Sequence, residues 1–153
     1  MSSFKRYTIT RVAIIGAGIA GLTLAHLLKD FACVKVFEAL PDVGGRLTTR
    51  GVAPFFFDHG VQFFRLKTSA SRQFMQPMID AKVIVPWHAR FAELTGDQMT
   101  LTRSWEAPLH FIGAPNMQAI GEYLSHGIDI TCQTPVIQII QIQKKNRWDL
   151  FGM

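Results

Sequence analysis

The sequence predicts an α/β fold: a parallel sheet that opens with a βαβ unit, followed by an inserted antiparallel β segment. Three observations carry that expectation. A short β-branched run, Arg11-Val12-Ala13-Ile14-Ile15, is followed at once by glycines at 16, 18 and 21. A breaker-free stretch rich in Leu and Ala then leads into a second apolar run, Val34-Lys35-Val36-Phe37. Further along, alternating segments between residues 83 and 112 are separated by turn residues.

The run Arg11–Ile15 is short, apolar and bounded by glycine, which is the pattern of a strand buried on both faces of a parallel sheet. Leu22 to Lys29 reads as a helix, and Val34–Phe37 as the second strand, ended by Glu38 and Pro41. Strand, glycine turn, helix and strand fit the span of one βαβ unit. From Asp42 to Gly60 the pattern breaks up. Gly44, Gly45, Gly51 and Pro54 read as loops around the aromatic run Phe55-Phe56-Phe57.

Residues 68–82 read as a helix from Thr68-Ser69 to Asp80, with Pro77 as a kink or boundary. Val83–Val85, Ala89–Leu94 and Met99–Thr102 alternate, and Gly96-Asp97 supplies a turn, so an antiparallel meander is expected. A further helix runs from Asn116, its N-cap, to His126, with Gly127 as its stop. Asp129–Cys132, Val136–Gln143 and Trp148–Leu150 read as closing strands.

Composition narrows the class. The 153 residues suffice for one domain with a core, and 48% hydrophobic against 18% charged residues is a globular balance. No apolar run approaches the roughly 20 residues that span a bilayer, and no signal-peptide stretch follows Met1. A cytoplasmic protein with no membrane partner is expected. Cys33 and Cys132 are far apart and form neither a disulfide framework nor a metal signature. His26, mid-helix, reads as a packing or surface residue, and His88, His110 and His126 have no metal-ligand spacing with one another, so no metal is expected. The net charge of +5 is scattered, with no run longer than Lys144-Lys145, and no nucleic-acid partner is expected. Ten Lys/Arg against four Asp/Glu fall in residues 1–75, which suits an anionic ligand on the first half.

The chemistry lies in two glycine clusters and one acid. A lone GxGxxG is weak evidence, but Gly16-x-Gly18-x-x-Gly21 follows a strand, opens a helix and precedes an acid, Glu38, at the end of the next strand. That context is the fingerprint of a Rossmann-like dinucleotide site. Gly16 allows the turn, Gly18 lets a pyrophosphate approach the backbone, and Gly21 lets the helix pack on the strand. Free N–H groups at the helix start, on Ile19, Ala20 and Gly21, face the phosphates. Glu38 can accept from ribose hydroxyls and repels a 2′-phosphate, which argues against NADP. The bland alternative is an ordinary loop and a surface acid. Gly44-Gly45-Arg46 follows closely. Two glycines let a loop fold over a diphosphate, and Arg46 offers a fixed planar cation. Just after the ribose acid, this cluster favours FAD over NAD; alone, it is an unremarkable solvent-facing turn.

Together with Asp58-His59-Gly60-Val61-Gln62-Phe63, Phe111–Met117 before a helix, and Pro135-Val136 before a strand ending at Trp148-Asp149-Leu150, these motifs resemble renalase and its bacterial relatives, in the flavin-containing amine oxidase superfamily. The resemblance implies a two-domain flavoprotein. Residues 1–60 would be the FAD-binding βαβ region, 61–127 the start of a substrate-domain insertion, and 128–153 return strands. It implies Gly16, Gly18, Ile19, Ala20, Gly21, Gly45 and Arg46 at the pyrophosphate and Glu38 at the ribose. Gly60, Val61 and Gln62 would lie against the isoalloxazine, and the Val136 backbone against adenine. Activity would be hydride transfer from a small substrate to flavin, with no acid or base assigned on this chain. His59, beside that segment, reads as a surface or backbone-capping residue.

Family members run to roughly twice this length, so the chain reads as truncated relative to the family fold, with an unpaired sheet edge. A truncated gene product, an incomplete domain, and one piece of a split protein all fit. A homodimer or a complementing carboxyl-terminal chain is therefore an expected partner. The competing functions are an inactive remnant and a nicotinamide-binding module.

Overall fold

A computed structural model describes residues 10–88, 90–104, 109–142 and 147–152. Ala89, Gln143, the Lys144-Lys145 pair and Met153 lie outside the described residues. The chain divides into two compact units, Met1–Arg46 with Leu124–Met153, and Leu47–Tyr123.

The first unit is built on a parallel sheet. β1 (Arg11–Ile15) runs into α1 (Ile19–Leu28), which returns to β2 (Cys33–Phe37). β2 pairs in parallel with β1 on one side and with β9 (Asp129–Thr131) on the other. The sheet order β1-β2-β9 is that of one half of a doubly wound fold. α1 packs on β1 and β2. Ile14, Leu22, Ala25, Val34 and Val36 form this core. Burying a leucine such as Leu22 contributes about 1.5–3 kcal/mol. Among the described residues β1 pairs on one side only, and Ile15 beside that edge is exposed. α1 is apolar almost all round, and its outer residues Leu24 and Leu27 face solvent. β10 (Val136–Ile142) and β11 (Arg147–Gly152) complete the unit as an antiparallel ribbon.

Among the described residues, the second unit holds three two-stranded sheets, one whole helix and most of another. Where the sequence reads as glycine-rich loop, β3 (Thr49–Val52) and β4 (Phe55–Asp58) form a hairpin. The β-forming Val52 and Phe55–Phe57 prevail over Gly51, because the ring of Phe56 lies opposite and close to that glycine. Asp58 at the hairpin base accepts from the Thr49 hydroxyl and from the Met117 amide.

α2 (Ser69–Asp80) starts at Thr68, whose side chain accepts from the Ser71 amide at 3.0 Å while Ser71 Oγ accepts from the Thr68 amide. Pro77 sits inside this helix and does not end it. The expected meander is instead two nested pairs. β6 (Arg90–Thr95) and β7 (Gln98–Ser104) form a hairpin, with Gly96 at φ +62° in its turn. The flanking β5 (Ile84–Pro86) and β8 (Phe111–Gly113) pair with each other. Met78, Ile84, Phe111, Met117 and Ile120 are buried in this unit. α3 (Gln118–Ser125) begins where Asn116 Oδ1 accepts from the Ala119 amide at 3.2 Å. It ends before Gly127, at φ +74°.

Candidate functional site

The glycine turn sits at the junction of β1 and α1. Gly16 has φ +95°, a backbone state that side chains rarely adopt, and its N–H donates to Phe37 O at 2.8 Å. Gly18 is the N-cap of α1, with no side-chain cap. The first intrahelical bond runs from the Leu22 amide to Gly18 O. The amides of Ile19, Ala20 and Gly21, ahead of it, have no intrahelical acceptor and point off the helix start. A Cβ at Gly21 would lie 2.0 Å from Gly16 O and 3.3 Å from Ile14 Cγ2, so only glycine fits where helix and strand touch. A Cβ at Gly18 would meet nothing nearer than Gly45 Cα at 4.0 Å. That position is open for an approaching ligand.

The second glycine cluster is brought against the first. Gly44 forms a parallel bridge with Gly18, and its N–H donates to Ala17 O at 2.8 Å. Gly44 and Gly45 have φ of +110° and +56°, and a Cβ at Gly45 would press on Gly18 Cα at 3.1 Å. Two loops more than twenty residues apart in sequence therefore form one side-chain-free cradle at the positive end of α1. Arg46 follows in a short 3₁₀ turn (Gly45–Leu47) and is exposed. The cradle is open at Gly18, its donors are backbone amides, and a cation stands in the adjoining turn. The residues present fit the ADP part of a dinucleotide.

Glu38 ends β2 and is 7% exposed. Its Oε2 accepts from the Ala17 amide at 2.6 Å and its Oε1 from the Leu40 amide at 2.9 Å. A carboxylate has about four acceptor positions, so sugar hydroxyls can still be served. Val136 opens β10 in the same unit and is half-buried. Gly60, Val61 and Gln62 belong to the other unit, in the irregular segment after β4. Gly60 and Gln62 are exposed there and Val61 is half-buried.

The histidines split by surroundings. His59, His88 and His126 are exposed. His26 on α1 is half-buried, and its pKa lies below the usual 6.5 because of burial first and Lys29 second, with Asp30 opposing. Among the described residues no three potential ligands gather for a metal. Sequence reasoning passed over a polar cluster in the second unit. His110, 2% exposed, accepts at Nε2 from Arg65 Nε at 2.8 Å, which assigns the acceptor role to that nitrogen. Phe63 packs edge-on to His110 and beside Trp87. The partners are 45 positions apart, and no local pattern announces them. The Ala17–Glu38 bond was equally invisible, although the spacing did single out the acid.

Comparisons with known proteins agree with this architecture. Residues 14–78 match the family model described as NAD(P)-binding Rossmann-like domain. No curated protein matches the chain. A crystal structure of a protein assigned as protoporphyrinogen oxidase from Exiguobacterium sp. 255-15 is similar in fold. Its TM-score is 0.66 at 12% identity, over 95% of this chain and 56% of that one. The tetrameric form of 2-methyl-3-hydroxypyridine-5-carboxylic acid oxygenase is similar with a TM-score of 0.56 at 12% identity, over 94% of this chain and 38% of that one. At this identity the likeness is one of fold. The chain spans about half the length of the first of these structures. It carries a Rossmann-like nucleotide-binding fold within a mixed α/β chain. No helix among the described residues is long and apolar enough to cross a membrane.

Proposed function

We propose that the chain is the FAD-binding portion of a flavin-dependent oxidoreductase of the renalase-like amine oxidase type, acting in the cytoplasm. The observation that carries this reading is the closure of Gly44-Gly45 onto Gly18, beside the buried Glu38. Gly16, Gly18 and the Ile19, Ala20 and Gly21 amides seat the diphosphate, flanked by Gly45 and Arg46. Glu38 takes the ribose, and the Val136 backbone the adenine. The Gly60-Val61-Gln62 segment serves the isoalloxazine. When bound, FAD supplies a hydride acceptor for a small substrate, and the protein binds and orients both.

A second reading is favoured by the matched family's description, which names NAD(P). Isothermal titration of the purified chain with FAD, NAD⁺ and NADP⁺ decides between them. FAD binding with a yellow colour that survives gel filtration supports the proposal. Preference for NAD⁺ makes it a nicotinamide module, and a colourless protein that ignores all three is an inactive remnant.

A further inference from the structure

Glu38 is bonded on four sides, and the bonds reach three separate loops. Its carboxylate holds the Ala17 amide of the glycine turn at 2.6 Å and the Leu40 amide at 2.9 Å. Its own amide donates to Thr131 O at 2.9 Å, and its carbonyl accepts from the Thr134 amide at 2.8 Å. Leu40 O in turn accepts from the Gln133 amide at 3.1 Å. The glycine turn, the segment leading to Gly44-Gly45 and the segment leading to Val136 therefore all hang on one buried residue. The turn has little to hold itself. Gly16 and Gly18 lack side chains, and Gly16 sits at positive φ. What fixes it comes from outside: Phe37 O on the Gly16 amide, Glu38 on the Ala17 amide, and the Gly44 amide on Ala17 O. Ala17 is 0% exposed, so its peptide is clamped from both sides and closed to water.

We propose that Glu38 is a positioning residue: its carboxylate sets the glycine turn in its ligand-ready shape before any dinucleotide arrives, a role separate from gripping a sugar. The proposal rests on the cradle being a diphosphate seat, and it reaches ligands that carry no sugar. The two carboxylate oxygens can brace the turn and still accept sugar hydroxyls, because only part of their acceptor capacity is used by Ala17 and Leu40. In Glu38→Ala both backbone amides lose their acceptor.

The test combines hydrogen exchange on the ligand-free full chain with titration of two probes. In wild type the Ala17 amide exchanges as slowly as the β1 amides. In Glu38→Ala it exchanges at least tenfold faster, while Ile14 stays protected. Unchanged Ala17 exchange in the folded variant overturns the proposal. Should the variant fail to fold, wild type decides: an Ala17 amide exchanging at the rate of an open loop overturns it. Titration with ADP and with inorganic pyrophosphate separates the two roles. Bracing predicts that both affinities fall at least tenfold in Glu38→Ala. Loss for ADP alone, with pyrophosphate unaffected, leaves only the sugar contact and overturns the brace. If wild type binds neither probe, the diphosphate reading falls, and the exchange result still decides the brace.

Discussion

Replacing Gly18 by alanine separates binding from folding. Gly18 has φ −75° and ψ 176°, a conformation open to any residue, and an added Cβ finds its nearest atom at an ordinary 4.0 Å. Folding therefore costs nothing at this position. The loss of chain entropy in the unfolded state should stabilise the protein by about 0.4–1 kcal/mol, or raise Tm by about 1–4 °C. On the proposed diphosphate seat, the same methyl occupies the space through which phosphate oxygens would reach the α1 amides. Forfeiting two hydrogen bonds to a charged group, each worth about 1.5–3 kcal/mol, weakens dinucleotide affinity by more than about a hundredfold. Thermal unfolding and isothermal titration with FAD and ADP read the two effects independently. The reasoning is refuted if Gly18→Ala keeps affinity within about threefold of wild type, or if its Tm falls by more than about 5 °C.

Other substitutions test the frame. Gly21→Ala puts a methyl 2.0 Å from the carbonyl oxygen of Gly16, which cannot yield, and should cost more than about 4 kcal/mol; near-native denaturant midpoints would contradict the close packing. Thr68→Ala removes the α2 cap and should lower stability by about 1 kcal/mol in urea melts, whereas an unchanged midpoint would mean the cap is idle. His26 has a folded pKa below that of the unfolded chain, so the unfolded state takes up its proton first and stability falls as pH drops below about 6.5. Between pH 7.5 and 5.5 wild type should lose more stability than His26→Gln, and equal losses in the two would exclude this contribution.

The βαβ unit was legible because its signals are local. β1, α1 and β2 each announce themselves by composition, and Gly16 and Gly21 are demanded by backbone geometry at their own positions. The β3–β4 hairpin was not legible. Gly51 and Pro54 look like breakers until the Phe56 ring opposite Gly51 is seen. The β5–β8 pairing joins Ile84 to Gly113, and nothing within either strand encodes so distant a partner. At the site, spacing singled out Glu38 as the acid at the end of β2. Its grip on the Ala17 and Leu40 amides depends on side-chain direction and burial, which spacing does not convey. Arg65 and His110 were silent for the same reason.

The nesting of β6–β7 inside the β5–β8 pair has a practical corollary. A hairpin whose two ends leave from adjacent strands is a cassette: its stem is closed by neighbours, and its tip, Gly96-Asp97, is exposed. Extra sequence spliced in at that tip adds only the slowly growing entropy of a longer loop. An epitope or small reporter inserted there adds residues to the second unit, whereas Gly16, Gly18, Gly44 and Gly45 belong to the first.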